Sequence, residues 1–169
     1  MEYLIDGLNV IKSSFIKKYG KKTIEFSKEF LIDILEKYKR KHPSIEITVV
    51  FDGAPSSFDI YREKRIKIVF SQDITADEKI RKILENKKNK NKIYVVSDDR
   101  EIGEFTKILG GNIFKVKEFL DIVFPTTKKE KSDNSKNLNY KTKIEIENEL
   151  ERHYEEKIRK NRREINKIP

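Results

Sequence analysis

Apolar residues in this chain gather in short runs, and between those runs they recur at intervals of three and four. Tyr3 to Ile5 is such a run, ending in Asp6-Gly7-Leu8-Asn9, which predicts a strand that stops at a tight turn. Ile24 to Lys41 places Phe26, Phe30, Leu31, Ile34, Leu35 and Tyr38 on one stripe, the signature of an amphipathic helix, and Pro43 stops it. Ile45 to Phe51 is nearly all β-branched or aromatic after Glu46, as suits a strand buried on both faces, and it ends at Asp52-Gly53. Residues Ala54 to Tyr61 read as a loop. Arg65 to Phe70 then alternates charged and apolar residues, which predicts a half-exposed, peripheral strand.

The second half repeats the alternation. Thr75 to Leu84 reads as a helix that the basic, asparagine-rich stretch Asn86 to Lys92 terminates. Ile93 to Val96 is a strand, followed by Ser97-Asp98-Asp99-Arg100-Glu101 and a helix to Leu109 that Gly110-Gly111 closes. Ile113 to Val116 predicts a further strand, and Glu118 to Val123 a last short helix before Pro125. Strands alternating with helices imply an α/β class with a mainly parallel sheet. The core is expected over residues 1–125. Residues 126–139 have the Lys, Ser and Asn content of a linker, and residues 140–169 predict a basic amphipathic helix with Tyr140, Ile144, Leu150, Tyr154, Ile158 and Ile165 on one stripe.

Composition changes this picture little. A chain of 169 residues supplies one domain's worth of core. Its 40% charged residues sit beside well-clustered apolar runs, which argues for a folded chain. The net charge of +9 favours a polyanionic partner such as RNA. The absence of cysteine excludes disulfides, thiolate nucleophiles and cysteine-held zinc. No apolar stretch approaches the roughly 20 residues of a membrane span, and the start shows no apolar signal segment, so no membrane partner and a cytoplasmic location are expected.

The candidate chemistry lies at the strand ends. Asp6, Asp52, Asp77/Glu78 and Asp98/Asp99 each follow an apolar run or open the next helix. A parallel sheet brings such ends to one edge, where carboxylates distant in sequence converge on a divalent cation. Each site also has a structural explanation. Thr75-Ala76-Asp77-Glu78 is a capping box, Asp98 to Glu101 suits the positive end of a helix, and Asp6 and Asn9 suit a turn or cap. Four together argue for more, since carboxylates gathered without a cation repel and raise one another's pKa. An all-oxygen set favours Mg²⁺ or Mn²⁺ over zinc.

Leu4-Ile5-Asp6-Gly7-Leu8-Asn9-Val10-Ile11, Val49-Val50-Phe51-Asp52-Gly53, Val69-Phe70-Ser71 with Thr75-Ala76-Asp77-Glu78, and Val95-Val96-Ser97-Asp98-Asp99 with Glu101 form an ordered set. That set resembles the YacP-like branch of the NYN domain family, in the PIN-like nuclease group, over residues 2 to 124. The resemblance implies a PIN-like three-layer α/β/α sandwich and a metal-dependent endoribonuclease, with Asp6, Asp77 and Asp98 as the acidic, metal-holding centre and Asn9, Asp52 and Asp99 around it. The loop Gly53-Ala54-Pro55-Ser56-Ser57 and the Asp98-Asp99-Arg100 run depart from the family's pattern, so the choice of ligand among neighbouring carboxylates stays open.

On this reading one or two Mg²⁺ or Mn²⁺ ions activate water and stabilise charge on the scissile phosphate, with no protein nucleophile. Asn9 would orient a ligand or phosphate, and Ser97 would hydrogen-bond a carboxylate or a phosphate oxygen. Lys12, Arg62, Lys64 and Arg65 would guide RNA by phosphate contacts. Phe58 and Tyr61 either stack on bases or pack on the core. The expected partner is single-stranded RNA or mRNA, with the ribosome as a candidate. No GxGxxG or GxxxxGK[ST] occurs, and His42 and His153 fall beside no strand-end carboxylate, which disfavours nucleotide sites and histidine catalysis. The alternatives are a non-catalytic RNA- or ribosome-binding module whose acidic residues are only caps, a phosphohydrolase, and a nuclease acting on DNA.

Overall fold

Short runs of apolar, largely β-branched and aromatic residues form five short strands, and the stretches between them form helices where apolar residues recur every three or four positions. The computed structural model describes residues 1–19, 23–55 and 64–124. All of these lie in one unit, Met1–Pro125. The linker expected over residues 126–139, the helix expected over 140–169 with His153, and Phe58, Tyr61 and Arg62 lie outside the described residues. Among the described residues no helix is long and apolar enough to cross a membrane.

The strands are β1 (Glu2–Asp6), β2 (Glu46–Phe51), β3 (Lys67–Phe70), β4 (Ile93–Val96) and β5 (Asn112–Phe114). They form one all-parallel sheet in the order β3-β2-β1-β4-β5. The helices are α1 (Gly7–Lys12), α2 (Ser14–Tyr19), α3 (Ile24–Lys41), α4 (Ala76–Glu85), α5 (Arg100–Ile108) and α6 (Val116–Val123), with a 3-10 turn at Lys90–Lys92. On one face Leu4, Val50 and Val95 pack against Ala76, Ile80 and Leu84 of α4 and Ile102 of α5. On the other, Tyr3 meets Tyr38 of α3 and Phe119 of α6, with ring centres 6.5 and 5.1 Å away. The result is the three-layer α/β/α sandwich expected, and its sheet is wholly parallel.

Two elements differ from the sequence expectation. The chain after Asp6 is not only a turn: α1 starts at Gly7, because Asp6 accepts the Asn9 N–H and so caps a helix. β5 ends at Phe114 and not Val116, and α6 begins at Val116. There Glu118 accepts the Lys115 N–H at 3.4 Å, and Asp98 accepts the Val116 N–H at 3.1 Å. The carboxylate of Asp98 is remote in sequence, so the local pattern could not announce that cap.

Gly7 is required by close approach. A Cβ there would lie 2.4 Å from the Phe51 ring and 2.9 Å from the Val50 carbonyl oxygen, so only glycine lets α1 leave β1 against the end of β2. Gly53, at φ +80°, turns the chain away just after Asp52.

Candidate active site

Strand register and side-chain parity assemble the site. Asp6 stands opposite Val50 on β2, and Ile5 opposite Val96 on β4, so Asp6 and Ser97 are level with each other across the β1–β4 seam. Side chains alternate along a strand. Asp6 therefore follows Leu4, Asp52 follows Val50 and Ser97 follows Val95, all toward the face covered by α4 and α5. In this strand order the chain runs outward from β1 on one side and returns to the other. The β1–β4 seam is thus the switch point, where a parallel sheet opens a crevice at its carboxyl ends.

Asp6 is buried, 5% exposed, and its two oxygens have separate partners. Oδ1 accepts the Asn9 N–H at 3.0 Å, and Oδ2 accepts the hydroxyl of the fully buried Ser97 at 3.2 Å. The Ser97 oxygen in turn accepts the Asp99 N–H at 3.1 Å. Burial pushes the Asp6 carboxyl above the ordinary aspartate value, and the charges of Asp77 and Asp52 add to this, against the lowering effect of the Asn9 N–H and the Ser97 hydroxyl.

Asp77 arrives by way of α4. The capping box holds, with Thr75 Oγ1 accepting the Glu78 N–H and Glu78 accepting the Thr75 N–H. Asp52 Oδ1 also accepts the Ala76 N–H at 2.7 Å, which fastens the start of α4 to the end of β2. Asp77, half-buried in that first turn, is pushed upward by burial and then by the charges of Asp99 and Asp52, with Glu101 adding and Arg81 opposing. Asp6, Asp52, Asp77, Asp99 and Glu101 therefore form one electrostatically coupled group at the carboxyl edge.

Asp99 is half-buried and caps α5 through the Glu101 and Ile102 N–H groups. Asn9 Oδ1 accepts the Asp98 N–H at 3.0 Å, which ties α1 to the loop after β4. The Asp98 carboxylate itself is exposed and caps α6 through the Val116 N–H, so its Oδ1 is committed away from the Asp6–Ser97 seam. Arg81 was not singled out by sequence. It pairs with Glu101 at 3.3 Å and lies over the Phe105 ring, one helical turn after Asp77. The four-residue spacing from Asp77 was its only sequence signal.

The remaining candidates scatter. Ser97 is fully buried, so of its two expected partners it has the carboxylate. Lys12 is exposed in the last turn of α1. Lys64 pairs with Asp33 at 3.5 Å. Lys64 and Arg65 precede β3, at the amino edge of the sheet, away from the carboxylates. His42 stacks on Tyr38, with ring centres 4.4 Å apart.

The oxygen-only donor set fits Mg²⁺ or Mn²⁺, and a cation would offset the burial, and then the neighbouring negative charge, that raise Asp6 and Asp77. Among the described residues no three carboxylate or histidine side chains form a ready-made shell.

The family model for the YacP-like NYN domain matches residues 3–163. A crystal structure of Rae1 (YacP) from Bacillus subtilis superposes with a TM-score of 0.60 at 19% identity, covering 98% of this chain and 91% of that one. A point mutant of the same Bacillus subtilis protein superposes with a TM-score of 0.59 at 23% identity, covering 72% of this chain and 74% of that one. At such identities the likeness to both structures is one of fold. Among curated proteins none matches.

Proposed function

This chain belongs to the YacP-like NYN domain family, a nuclease-like group, and we propose that it is a metal-dependent endoribonuclease that hydrolyses RNA phosphodiester bonds at the carboxyl edge of β1, β2 and β4. The observation that carries this reading is that strand register brings the buried Asp6, with Asp52 at the end of β2 and Asp99 after β4, to the carboxyl ends at the sheet's switch point.

Asp6 and Asp77 would hold the cation, with Asp99 beside them and Asp98 as a further ligand if its cap on α6 is exchanged. When bound, Mg²⁺ or Mn²⁺ supplies activation of water and stabilisation of charge on the phosphate. The chain's own groups prepare that site. The Asn9 N–H and the Ser97 hydroxyl fix the Asp6 carboxylate from two sides, so it does not reorganise when a ligand arrives. Asp52 pins α4 and thereby aims Asp77. Arg81 moderates the negative charge without entering the cluster. The test is cleavage of labelled single-stranded RNA, with DNA and structured RNA as controls, in Mg²⁺, in Mn²⁺ and in EDTA. RNA cutting that EDTA stops, and that folded Asp6→Asn and Asp77→Asn variants both lose, supports the reading. Metal-independent cutting rejects the metal-dependent reading, and a wild type that binds RNA equally in EDTA and cuts none with ribosomes added rejects it in favour of a binding module.

A further inference from the structure

Helix α4 divides its charge between two flanks. Ala76, Ile80 and Leu84 form its buried line. Asp77 and Arg81 fall on the flank toward α5, where Arg81 reaches Glu101. Lys79, Lys82, Ile83 and Asn86, spaced i, i+3, i+4 and i+7, fall on the other flank and, with Lys87, line a shallow depression of about 320 Å³. Lys67 adds to the same side of the sheet. Val69 packs on the α4 core cluster, and alternation places the exposed Lys67 on that face two residues earlier.

This flank has more positive charge than the protein neutralises. Lys87 pairs with Glu2 at 2.7 Å, whereas among the described residues Lys67, Lys79 and Lys82 have no ion-pair partner. Glu78, beside Lys79, is committed to the capping box, and Glu85 follows Lys82 by three residues. Three lysines without an ion-pair partner beside an apolar floor favour a polyanion.

We propose that this flank of α4 is a track for the phosphate backbone of RNA leading to the acidic edge, an inference that rests on the ribonuclease reading. Its start lies at the end of α4 that Asp52 fastens to the carboxyl edge through the Ala76 N–H. From Lys79 to Glu85 the helix rises about 9 Å, long enough to meet more than one phosphate of a single strand. An acidic cluster repels RNA unless cations lie beside it, and this flank supplies them where Lys64 and Arg65, at the opposite edge, do not.

The experiment compares wild type with the Lys79→Gln/Lys82→Gln double variant and with Lys107→Gln/Lys117→Gln, which removes the same charge from exposed positions on α5 and α6. Binding of fluorescein-labelled single-stranded RNA is read by anisotropy in EDTA across a salt series, and cleavage kinetics are read in Mg²⁺ and in Mn²⁺. The track variant should lose about 1.4 from the slope of log affinity against log salt, two contacts at ~0.7 each. Its KM should rise with kcat unchanged, while the control keeps the wild-type slope. An unchanged slope in a wild type that binds and cuts RNA overturns the track alone, as does an equal loss in the control. A wild type that neither binds nor cuts RNA overturns the ribonuclease reading and the track with it. Poly-glutamate bound as tightly as RNA, and lost in the track variant, gives the flank to an acidic polypeptide and overturns the proposal.

Discussion

The Ser97 hydroxyl donates to Asp6 Oδ2 at 3.2 Å, joining the ends of β1 and β4 across ninety-one residues of chain, while its oxygen accepts the Asp99 N–H. One buried hydroxyl thus sets both the direction of the Asp6 carboxylate and the start of α5. Removing it leaves the Asp6 Oδ2 and the Asp99 N–H without this partner.

Ser97→Ala is therefore expected to cost about 1–3 kcal/mol of stability, the cost of leaving buried partners unsatisfied. Cleavage should fall about 10–100-fold, as when a residue that orients a metal ligand is lost. Denaturant unfolding and single-turnover kinetics check the two effects separately. Full activity in the variant would mean that Asp6 needs no orientation from this side.

The burial and crowding of Asp77 lead to an opposite effect on stability. Its place in the first turn of α4 favours a negative charge there, by about 0.3–1 kcal/mol, but desolvation and the charges of Asp99 and Asp52 outweigh this and raise its pKa. Asp77→Asn should therefore stabilise the metal-free protein by up to about 1 kcal/mol, since the position is only half-buried and screened, and abolish cleavage. The sign follows from linkage: a carboxyl raised in the folded state binds protons more readily there than when unfolded, so its penalty is present in full above the raised value. The stability difference between variant and wild type should be largest near neutrality and shrink as pH falls toward the ordinary 3.8. Thermal melts in EDTA across pH measure it, and a destabilised variant near neutrality would contradict the electrostatic account.

Much of this site was legible from sequence because strand parity is local. Asp6, Asp52 and Ser97 each continue the alternation of Leu4, Val50 and Val95, so apolar runs alone place them at strand ends on one face. What was hidden depended on partners distant in the chain. The sequence showed a turn at Asp6 to Asn9, and the Asn9 side chain's bond to the Asp98 N–H, 89 residues on, could not be read from it. The start of α6 at Val116 depends on the remote Asp98, whose Oδ1 accepts the Val116 N–H. Among adjacent carboxylates, hydrogen bonding and not type decides which faces the cluster, so the Asp98-Asp99 pair could not be resolved from spacing.

Gly7→Ala should destabilise the fold by about 1–3 kcal/mol through overpacking. The added methyl meets the Phe51 ring at 2.4 Å and a backbone oxygen at 2.9 Å, and the backbone cannot give way as a flexible side chain would. A double variant, Gly7→Ala with Phe51→Leu, should recover only part of the loss, because the Val50 carbonyl remains. Chemical denaturation of the single and double variants tests this, and full recovery would show that the ring was the whole obstacle.

Asp52 separates a positioning role from a charge role. Its Oδ1 accepts the Ala76 N–H at 2.7 Å, and the Ser71 hydroxyl donates to the same oxygen at a looser 3.4 Å. Asparagine keeps an acceptor oxygen at that place and alanine does not. If the residue serves to pin α4 and aim Asp77, Asp52→Asn should keep cleavage within about tenfold of wild type, above the 10–100-fold losses typical of an abolished supporting contact. Asp52→Ala should then fall further and lose about 0.5–2 kcal/mol, the usual cost of a missing helix cap. The decisive comparison is kcat against unfolding free energy for both variants. An asparagine variant as stable as wild type but as inactive as the alanine variant would mean that the negative charge of Asp52 takes part in holding the cation or the phosphate, and would move it from the support of the site into its centre.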